Sequence, residues 1–295
     1  MILVTGSTGW MGAAAVRELA RSGTPVRALA RHRAKAEALA RLPGVEVVEG
    51  DMARPPTLGA VLDGVTRAFM ISSSDERMVD TQGAFIDAAR SAGVGHIIKM
   101  SGKESSIGFD PDKFRFVRMH GEIERALERS GVGWTHLRPS QFMQVYLREA
   151  ATIAAEGAFY LPLDDVRLAP VDIEDIAKVA AALLTTEGHA GKTYEMTGPE
   201  ALTMAEVAER LTRAIGKPVR YVNVSPEDMR RALLAAGVPA ARVDALDELF
   251  AERRRRPQSR VVLATHEAFG VRPTPFEEFA RRTAAAFRGE TLATP

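Results

Sequence analysis

The stretch Thr5-Gly6-Ser7-Thr8-Gly9-Trp10-Met11-Gly12 follows directly on the apolar run Met1-Ile2-Leu3-Val4. A strand leading into three glycines at GxxGxxG spacing, with an amphipathic run behind them, is the start of a nucleotide-binding βαβ unit. Gly6 permits the tight turn, Gly9 lets the backbone approach a pyrophosphate, and Gly12 lets helix and strand pack closely. The helix N-terminus adds unpaired N–H groups and the positive end of its dipole. Gly6, Ser7, Thr8, Gly9, Trp10, Met11 and Gly12 are therefore the expected cofactor contacts of this loop. The spacing alone is a weak signal, with a structural glycine turn as the alternative; its position between a first strand and a helix favours the dinucleotide.

Outward from this loop, short apolar runs alternate with longer amphipathic ones. Strands are predicted over 1–4, 26–30, 45–48, 66–71, 96–100 and 134–137. Helices are predicted over 9–22, 34–42, 58–62, 78–92 and 113–130. Strand then helix, repeated without hairpin turns, predicts a Rossmann-type, doubly wound parallel sheet of the α/β class. After Pro139 the rhythm changes. Helices are predicted over 141–155, 172–184 (capped by Asp172), 205–215 (opened by Thr203), 226–236, 240–252 and 275–287. Short strands fall at 159–161, 193–196 and 219–222. This α-rich half is not expected to extend the sheet regularly. The expected division is a nucleotide-binding domain over 1–140 and a smaller substrate-binding lobe over 141–295, with parts of 169–197 packing back on the first domain.

Composition removes several function classes. Lys plus Arg number 39 and Asp plus Glu 38, so no basic surplus exists for a nucleic-acid backbone. The run Arg253-Arg254-Arg255-Arg256 reads as a solvated basic turn closing a helix. The absence of cysteine excludes disulfides, thiolate nucleophiles and cysteine-held metals. Six scattered histidines without HExxH spacing give no expectation of a metal site. No apolar run has membrane-spanning length, and a strand beginning at residue 1 is no signal peptide; a soluble, cytoplasmic protein is expected.

The end of the second strand distinguishes the cofactors. A carboxylate there would hold the ribose 2′-OH of NAD, whereas this chain carries Ala30-Arg31-His32-Arg33-Ala34-Lys35. Arg31 can clamp a 2′-phosphate and stack on adenine, and Arg33 and Lys35 add charge, so NADP(H) is the expected cofactor. Asp51, after the third strand, could accept from the adenine amino group with Met52 packing on the ring; a turn-capping role suits Asp51 equally.

The chain resembles the NmrA-like group of atypical short-chain dehydrogenase/reductases. The resemblance rests on TGSTGWMG, VRALAR, GVEVVEGD, HGEIERALERSGVGWTHLRPSQFM, APVDIEDIAKVAAALL, TGPEALTMAEVAERL and TPFEEFARR, nearly the whole length. It implies the fold and NADP(H). It implies activity less strongly, because the group holds quinone, azo-dye, imine and enone reductases and also NADP-binding regulators without turnover. Typical short-chain dehydrogenases donate a proton from the tyrosine of a Tyr-x-x-x-Lys pair. The matching stretch here is Phe116-Val117-Arg118-Met119-His120, and the four tyrosines lie at 146, 160, 194 and 221. His120, in the lysine position, is expected to hydrogen-bond the nicotinamide ribose or to donate a proton. Ser101 takes the place of the usual catalytic serine, where a plain loop-start hydroxyl is the alternative. Ser72 and Ser73, Pro139 and Phe142 fall where the group's backbone meets the cofactor, and Phe142 also where an aromatic lines the substrate pocket. The group often has Glu-Asn where this chain has Gln144-Val145, which puts polar contacts there in doubt. Met143 and Tyr146, with Phe159 and Tyr160, could line that pocket or pack in the core. Asp172 and Asp175 are explained by helix capping.

Without a tyrosine, a simple ketone would be left as an unstabilised alkoxide, whereas a conjugated acceptor delocalises the charge. The expected function is an NADPH-dependent oxidoreductase passing hydride to a quinone, azo, enone or iminium compound. The alternative is a non-catalytic NADP(H) sensor with a regulatory protein partner; a homodimer is compatible with either. Sugar-nucleotide epimerisation is disfavoured, since it leans on the absent tyrosine.

Overall fold

A computed structural model describes residues 1–102 and 107–291. Its strands are β1 (Ile2–Val4), β2 (Val26–Ala30), β3 (Val45–Glu49), β4 (Arg67–Met70), β5 (His96–Met100), β6 (Gly133–Pro139), β7 (Ala158–Leu161), β8 (Lys192–Met196) and β9 (Arg220–Asn223). Among the described residues, seven form one parallel sheet in the order β3-β2-β1-β4-β5-β6-β8, and β7 pairs with β9 in a second, two-stranded sheet. β1 pairs with both β2 and β4, so the chain reverses its direction of travel across the sheet there. That reversal opens a crevice at the carboxyl ends of the strands.

The sheet is covered on both faces. On one, the Trp10–Arg21 and Ile173–Thr185 helices bury Val16, Leu19, Ile176 and Leu183 in a cluster with Val4 and Phe69. On the other, Phe85 and Ile86 of the Met78–Ser91 helix join Ile123 and Leu127 of the Arg115–Arg129 helix over Leu3, Met70 and Ile97. A third cluster, rich in phenylalanine, gathers the second half around Phe159, Phe276, Phe279 and Phe287.

The second half adds to the sheet within 169–197, the stretch expected to pack back on the first domain. β8 pairs in register with β6, from Thr135↔Lys192 to Pro139↔Met196, and supplies an edge strand. The Ile173–Thr185 helix is its crossover, buried at nine positions, which explains an apolar run too continuous for a surface helix. Asp172 caps this helix by accepting from Glu174 N at 3.1 Å and also takes Arg282 at 2.5 Å. Asp175 does something other than cap: it accepts the Thr274 N–H at 2.7 Å, tying the helix to the C-terminal segment. Thr203 and Glu206 close a reciprocal capping box. Three predicted helices are broken in two: the 34–42 stretch, for example, is a 3-10 turn (Arg33–Ala36) followed by a short helix (Glu37–Ala40).

The arginine run departs in part from its sequence reading. Arg253 is buried, Arg254 donates to the Pro162 carbonyl at 2.7 Å, and Arg255 pairs with Glu252 and Asp110. Arg253 and Arg254 are turned toward the neighbours of the Ala240–Arg255 helix, whereas Arg255 and Arg256 at its end are exposed, as the sequence reading expects.

The nucleotide loop shows why Gly12 cannot vary. A Cβ there would stand 2.3 Å from the Gly6 carbonyl oxygen and 2.8 Å from Ser7 Cα, both backbone atoms with little freedom to yield. Gly83, inside the Met78–Ser91 helix, has nothing within 4 Å of its would-be Cβ. Gly12→Ala should lower unfolding stability by about 1–3 kcal/mol, the usual cost of overpacking. Gly83→Ala should raise it by about 0.5–1 kcal/mol through helix propensity. Urea titrations of the two variants, expected to move in opposite directions, check the contact geometry.

Candidate active site

The loop is held from beneath by its own hydroxyls. Ser7 Oγ donates to the Leu29 carbonyl at 2.7 Å, and Thr5 Oγ1 donates to the Ile71 carbonyl at 2.7 Å and accepts its N–H at 2.8 Å. The Ser7 side chain is thereby engaged with β2, leaving its backbone for a cofactor. Thr8 and Gly9 are exposed at the helix start. Trp10 is half-buried, with the Arg148 guanidinium over its ring at 5.5 Å. Met11 and Gly12 are buried, and Met11 borders the cleft described below.

Beyond β2, Arg31 and Lys35 are exposed and have no side-chain partner among the described residues. Arg33 differs: its Nη1 donates to the Val47 carbonyl at 2.9 Å, fastening the turn to β3. Asp51 accepts from Ala53 N at 3.0 Å, the turn-capping role. Met52 is buried in the cluster with Leu29 and Val61, so the structure sets its side chain in the core rather than out over a nucleotide.

A cleft of about 960 Å³ opens at the carboxyl end of the sheet. Its near side carries Ser72 and Gln82. Ser72 Oγ accepts from Gln82 Nε2 at 2.8 Å and donates to the Ser73 carbonyl at 3.1 Å; Ser73 itself is exposed and outside the cleft. Gln82 Oε1 is buried without a partner, an acceptor beside the cleft that a ligand donor could satisfy. Pro139, Phe142 and Tyr146 border the cleft from the segment after β6. Tyr146 packs edge-on against Phe276 at 5.1 Å. Met143 does not reach the cleft: it is 1% exposed inside the phenylalanine-rich cluster, and Phe159 is likewise buried there. Met143 and Tyr146 share the inward face of this 3-10 turn, both nearly fully buried, and only Tyr146 reaches the cleft edge, while Phe142 is half-buried. Tyr160 borders the cleft, its hydroxyl donating to Glu156 at 2.7 Å. Gln144 bonds Asp172 and the Ile173 N–H, a scaffold role.

The floor is polar. His120, Ser101 and Gly102 line it, with Phe116 beside them, edge-on to Phe114 at 5.9 Å. His120 Nδ1 meets Lys99 Nζ at 3.0 Å, and Lys99 also donates to the Met100 carbonyl at 3.2 Å. Burial pushes Lys99 down to about 7, partly offset by Glu124. Burial, then the neighbouring Lys99 charge, holds His120 well below the usual histidine range. Ser101 hydrogen-bonds the Glu124 carboxylate, so its proton points away from the cleft and it can only accept from a substrate. Glu124 takes a two-pronged bond from Arg138 at 2.8 and 2.7 Å. Burial opposes its charge, but Arg138 and Ser101 outweigh this and hold it below the carboxylate range.

Lys99, Gln82 and Arg148 were not singled out from the sequence. Lys99 did leave a signal: an ammonium within the strand Ile97-Ile98-Lys99-Met100, buried on both faces, demands a partner. Gln82 and Arg148 left none, since each reads as an ordinary polar residue on a helix.

Comparison with known proteins matches this architecture. The chain is 38% identical to an NAD(P)H azoreductase of Xenophilus azovorans over 97% of its own length and 99% of the relative's. It is 36% identical to the (4-alkanoyl-5-oxo-2,5-dihydrofuran-3-yl)methyl phosphate reductase of Streptomyces griseus, over 98% and 100%. The NADPH complex of the quinone oxidoreductase QOR2 from Escherichia coli superposes with a TM-score of 0.83 at 29% identity, covering 96% of this chain and 99% of that one. Residues 1–280 match the NmrA-like family, and the chain belongs to it.

Proposed function

We propose that this protein is an NADPH-dependent reductase that passes hydride to a flat, conjugated acceptor of the quinone, azo, enone or iminium type. The observation that carries the reading is the continuity of the cleft. One space is bounded by Met11 of the glycine loop, by His120, and by apolar side chains of the second half such as Leu246 and Leu249. A cofactor on the loop and an acceptor among those side chains would share it. Full-length similarity to azo and butenolide reductases supports the same conclusion.

The residues fit the cofactor. Exposed Thr8 and the first turn of the helix present N–H groups to a pyrophosphate, and exposed Gly9, whose own N–H donates to the Gly6 carbonyl at 3.0 Å, keeps the approach free of any side chain. Arg31 and Lys35, both unpaired, take the 2′-phosphate; Arg33 positions the turn and adds charge. Asp51 keeps one carboxylate oxygen outside its turn bond for the adenine amino group. Ser72 and Pro139 flank the nicotinamide end, with Phe142 between cofactor and acceptor and Tyr146 against the acceptor. Residues 1–140 then act as the NADP-binding unit and residues 141–295 as the cover over the acceptor. Bound NADPH supplies the hydride. The chain supplies dryness, since Phe116, Phe142 and Tyr146 exclude water, and one polar floor group, His120.

Phe116 narrows the chemistry. It stands in the cleft wall and has no proton to give, so acceptors that delocalise the added electrons are favoured.

Purified protein should oxidise NADPH, followed at 340 nm, with at least one compound in a panel of quinones, azo dyes, enones and iminium salts. Tight NADPH binding with no turnover across that panel would overturn the reductase reading in favour of a sensor. Arg31→Ala should weaken NADPH binding about ten- to a hundredfold, the loss of a charge-assisted contact of roughly 1.5–3 kcal/mol, while NADH binding changes little. Titration of both cofactors by fluorescence gives that ratio; an unchanged ratio would remove Arg31 from the 2′-phosphate site.

A further inference from the structure

The chain keeps a lysine where burial should discourage one. Lys99 is 0% exposed, and its Nζ has two acceptors among the described residues, the Met100 carbonyl and His120 Nδ1. The nearest charges are Glu124 on the Arg115–Arg129 helix and Arg138 on β6, but they are locked to each other, with His136 beside Glu124. A buried ammonium without an ion pair is costly, and hydrophobic strand neighbours such as Ile97 and Ile98 show what would pack there more cheaply.

What the lysine achieves is visible in the histidine. An ammonium can only donate, so Nδ1 of His120 must accept, and the imidazole proton is left on Nε2. Nε2 faces Gly102 at the cleft floor, where a Cβ on Gly102 would come within 2.5 Å of it. The glycine thus leaves that N–H uncovered toward the cleft.

We propose that Lys99 is a positioning residue that holds His120 as an Nε2–H donor toward the acceptor and replaces the proton His120 gives up. The inference rests on the reductase reading. After hydride reaches the acceptor, its anionic oxygen or nitrogen takes the proton from His120 Nε2; that N–H bond breaks and an O–H or N–H bond forms. In the same event Lys99 gives a proton to Nδ1. His120 stays neutral with its tautomer exchanged, and Lys99 is left as the amine. Water then returns a proton to Nε2 through the cleft, and Nδ1–H passes its proton back to Lys99. Hydride comes from NADPH and the proton from solvent, and no other reactant is needed. The acidities fit this transfer, for burial brings Lys99 to about 7, while His120 is held too low to serve as an imidazolium near neutrality.

The pair explains how the floor could supply a proton with Phe116 in place of a tyrosine. It also predicts a stability signature. A lysine whose folded pKa of about 7 lies below its ordinary 10.5 binds a proton more readily when unfolded across that interval. Its contribution to stability therefore rises with pH between those values.

The test uses the full chain with NADPH and a reducible acceptor found in the panel, alongside the protein without cofactor. In wild type, long-range ¹⁵N spectra should show His120 carrying its proton on Nε2 near neutral pH, and kcat should fall as pH rises above about 7. Lys99→Met should shift the proton toward Nδ1, lower kcat about a hundredfold, flatten the pH profile above 7 and leave NADPH affinity unchanged. It should also abolish the rise of stability between pH 7 and 10. Should Lys99→Met fold poorly, the wild-type tautomer and pH profile still decide. A proton on Nδ1 in wild type, or a Lys99→Met enzyme with the wild-type kcat and pH profile, would overturn the inference while leaving the reductase reading intact. Absence of turnover in wild type with every acceptor would sink the reductase reading, and the relay with it.

Discussion

The contact of Gly12 with the Gly6 carbonyl sets the geometry on which the rest depends. Because neither residue carries a side chain, the Trp10–Arg21 helix begins almost against the end of β1. Its unpaired N–H groups consequently lie over the carboxyl edge of the sheet. β1 is central, hydrogen-bonded to β2 on one side and β4 on the other. The loops after β4, β5 and β6 all leave the sheet at that same edge. They bring Ser72, Ser101 and Pro139 to one side of a single cleft, although 67 residues of chain separate the first from the last. Parallel pairing is what makes this convergence general: every strand ends on the same side.

The second half completes the site by a different logic. Its side chains at the cleft are mainly apolar, and its own cluster is built from phenylalanines and a tyrosine that lock one another, as Tyr146 and Phe276 do edge to face. Charged groups there serve as ties. Arg254 holds the Pro162 carbonyl, Arg282 holds Asp172, and Asp175 holds Thr274. Each tie joins segments far apart in sequence, and each leaves a buried or half-buried charge satisfied rather than exposed to an acceptor. The result is an apolar cover over a polar floor. In a space lined so largely by apolar side chains, a single donor aimed at an acceptor counts for more than it would in water.

Much of this was legible in the chain, and the reasons for the gaps are physical. The glycine spacing, the apolar strands and the Asp172 and Thr203 caps are local signals, and the structure agrees with them. The strand over 193–196 was expected, but not its place as the seventh strand of the sheet, because its position beside β6 is set by the crossover helix and not by its own residues. Phe142 and Tyr146 could not be separated from Met143 and Phe159 by composition, because an apolar residue looks the same whether it faces core or cleft. The arginine run misled for a related reason. A guanidinium on a helix end reads as solvated unless one knows which carbonyl lies opposite. Lys99 was the one charge whose strand context alone marked it, for a strand apolar on both sides of a lysine has no water to offer it.

That lysine bears on how a dehydrogenase scaffold could work without its tyrosine. A phenol serves as an acid only if something nearby lowers its pKa, and in typical members of the wider group a lysine does this. Here the phenol is replaced by Phe116, and the cation lies under the histidine instead. In the proposed relay the roles are inverted rather than lost. By the sequence resemblance the histidine falls at the helix position of the usual lysine, and Lys99 of β5 lies against its Nδ1. Glu124 and Arg138, paired to each other, keep the surroundings nearly neutral, so burial outweighs neighbouring charges in setting the acidity of Lys99. On the proposed reading such a lysine–histidine pair suits acceptors that disperse their negative charge before the proton arrives, in keeping with the apolar wall at Phe116 and Phe142.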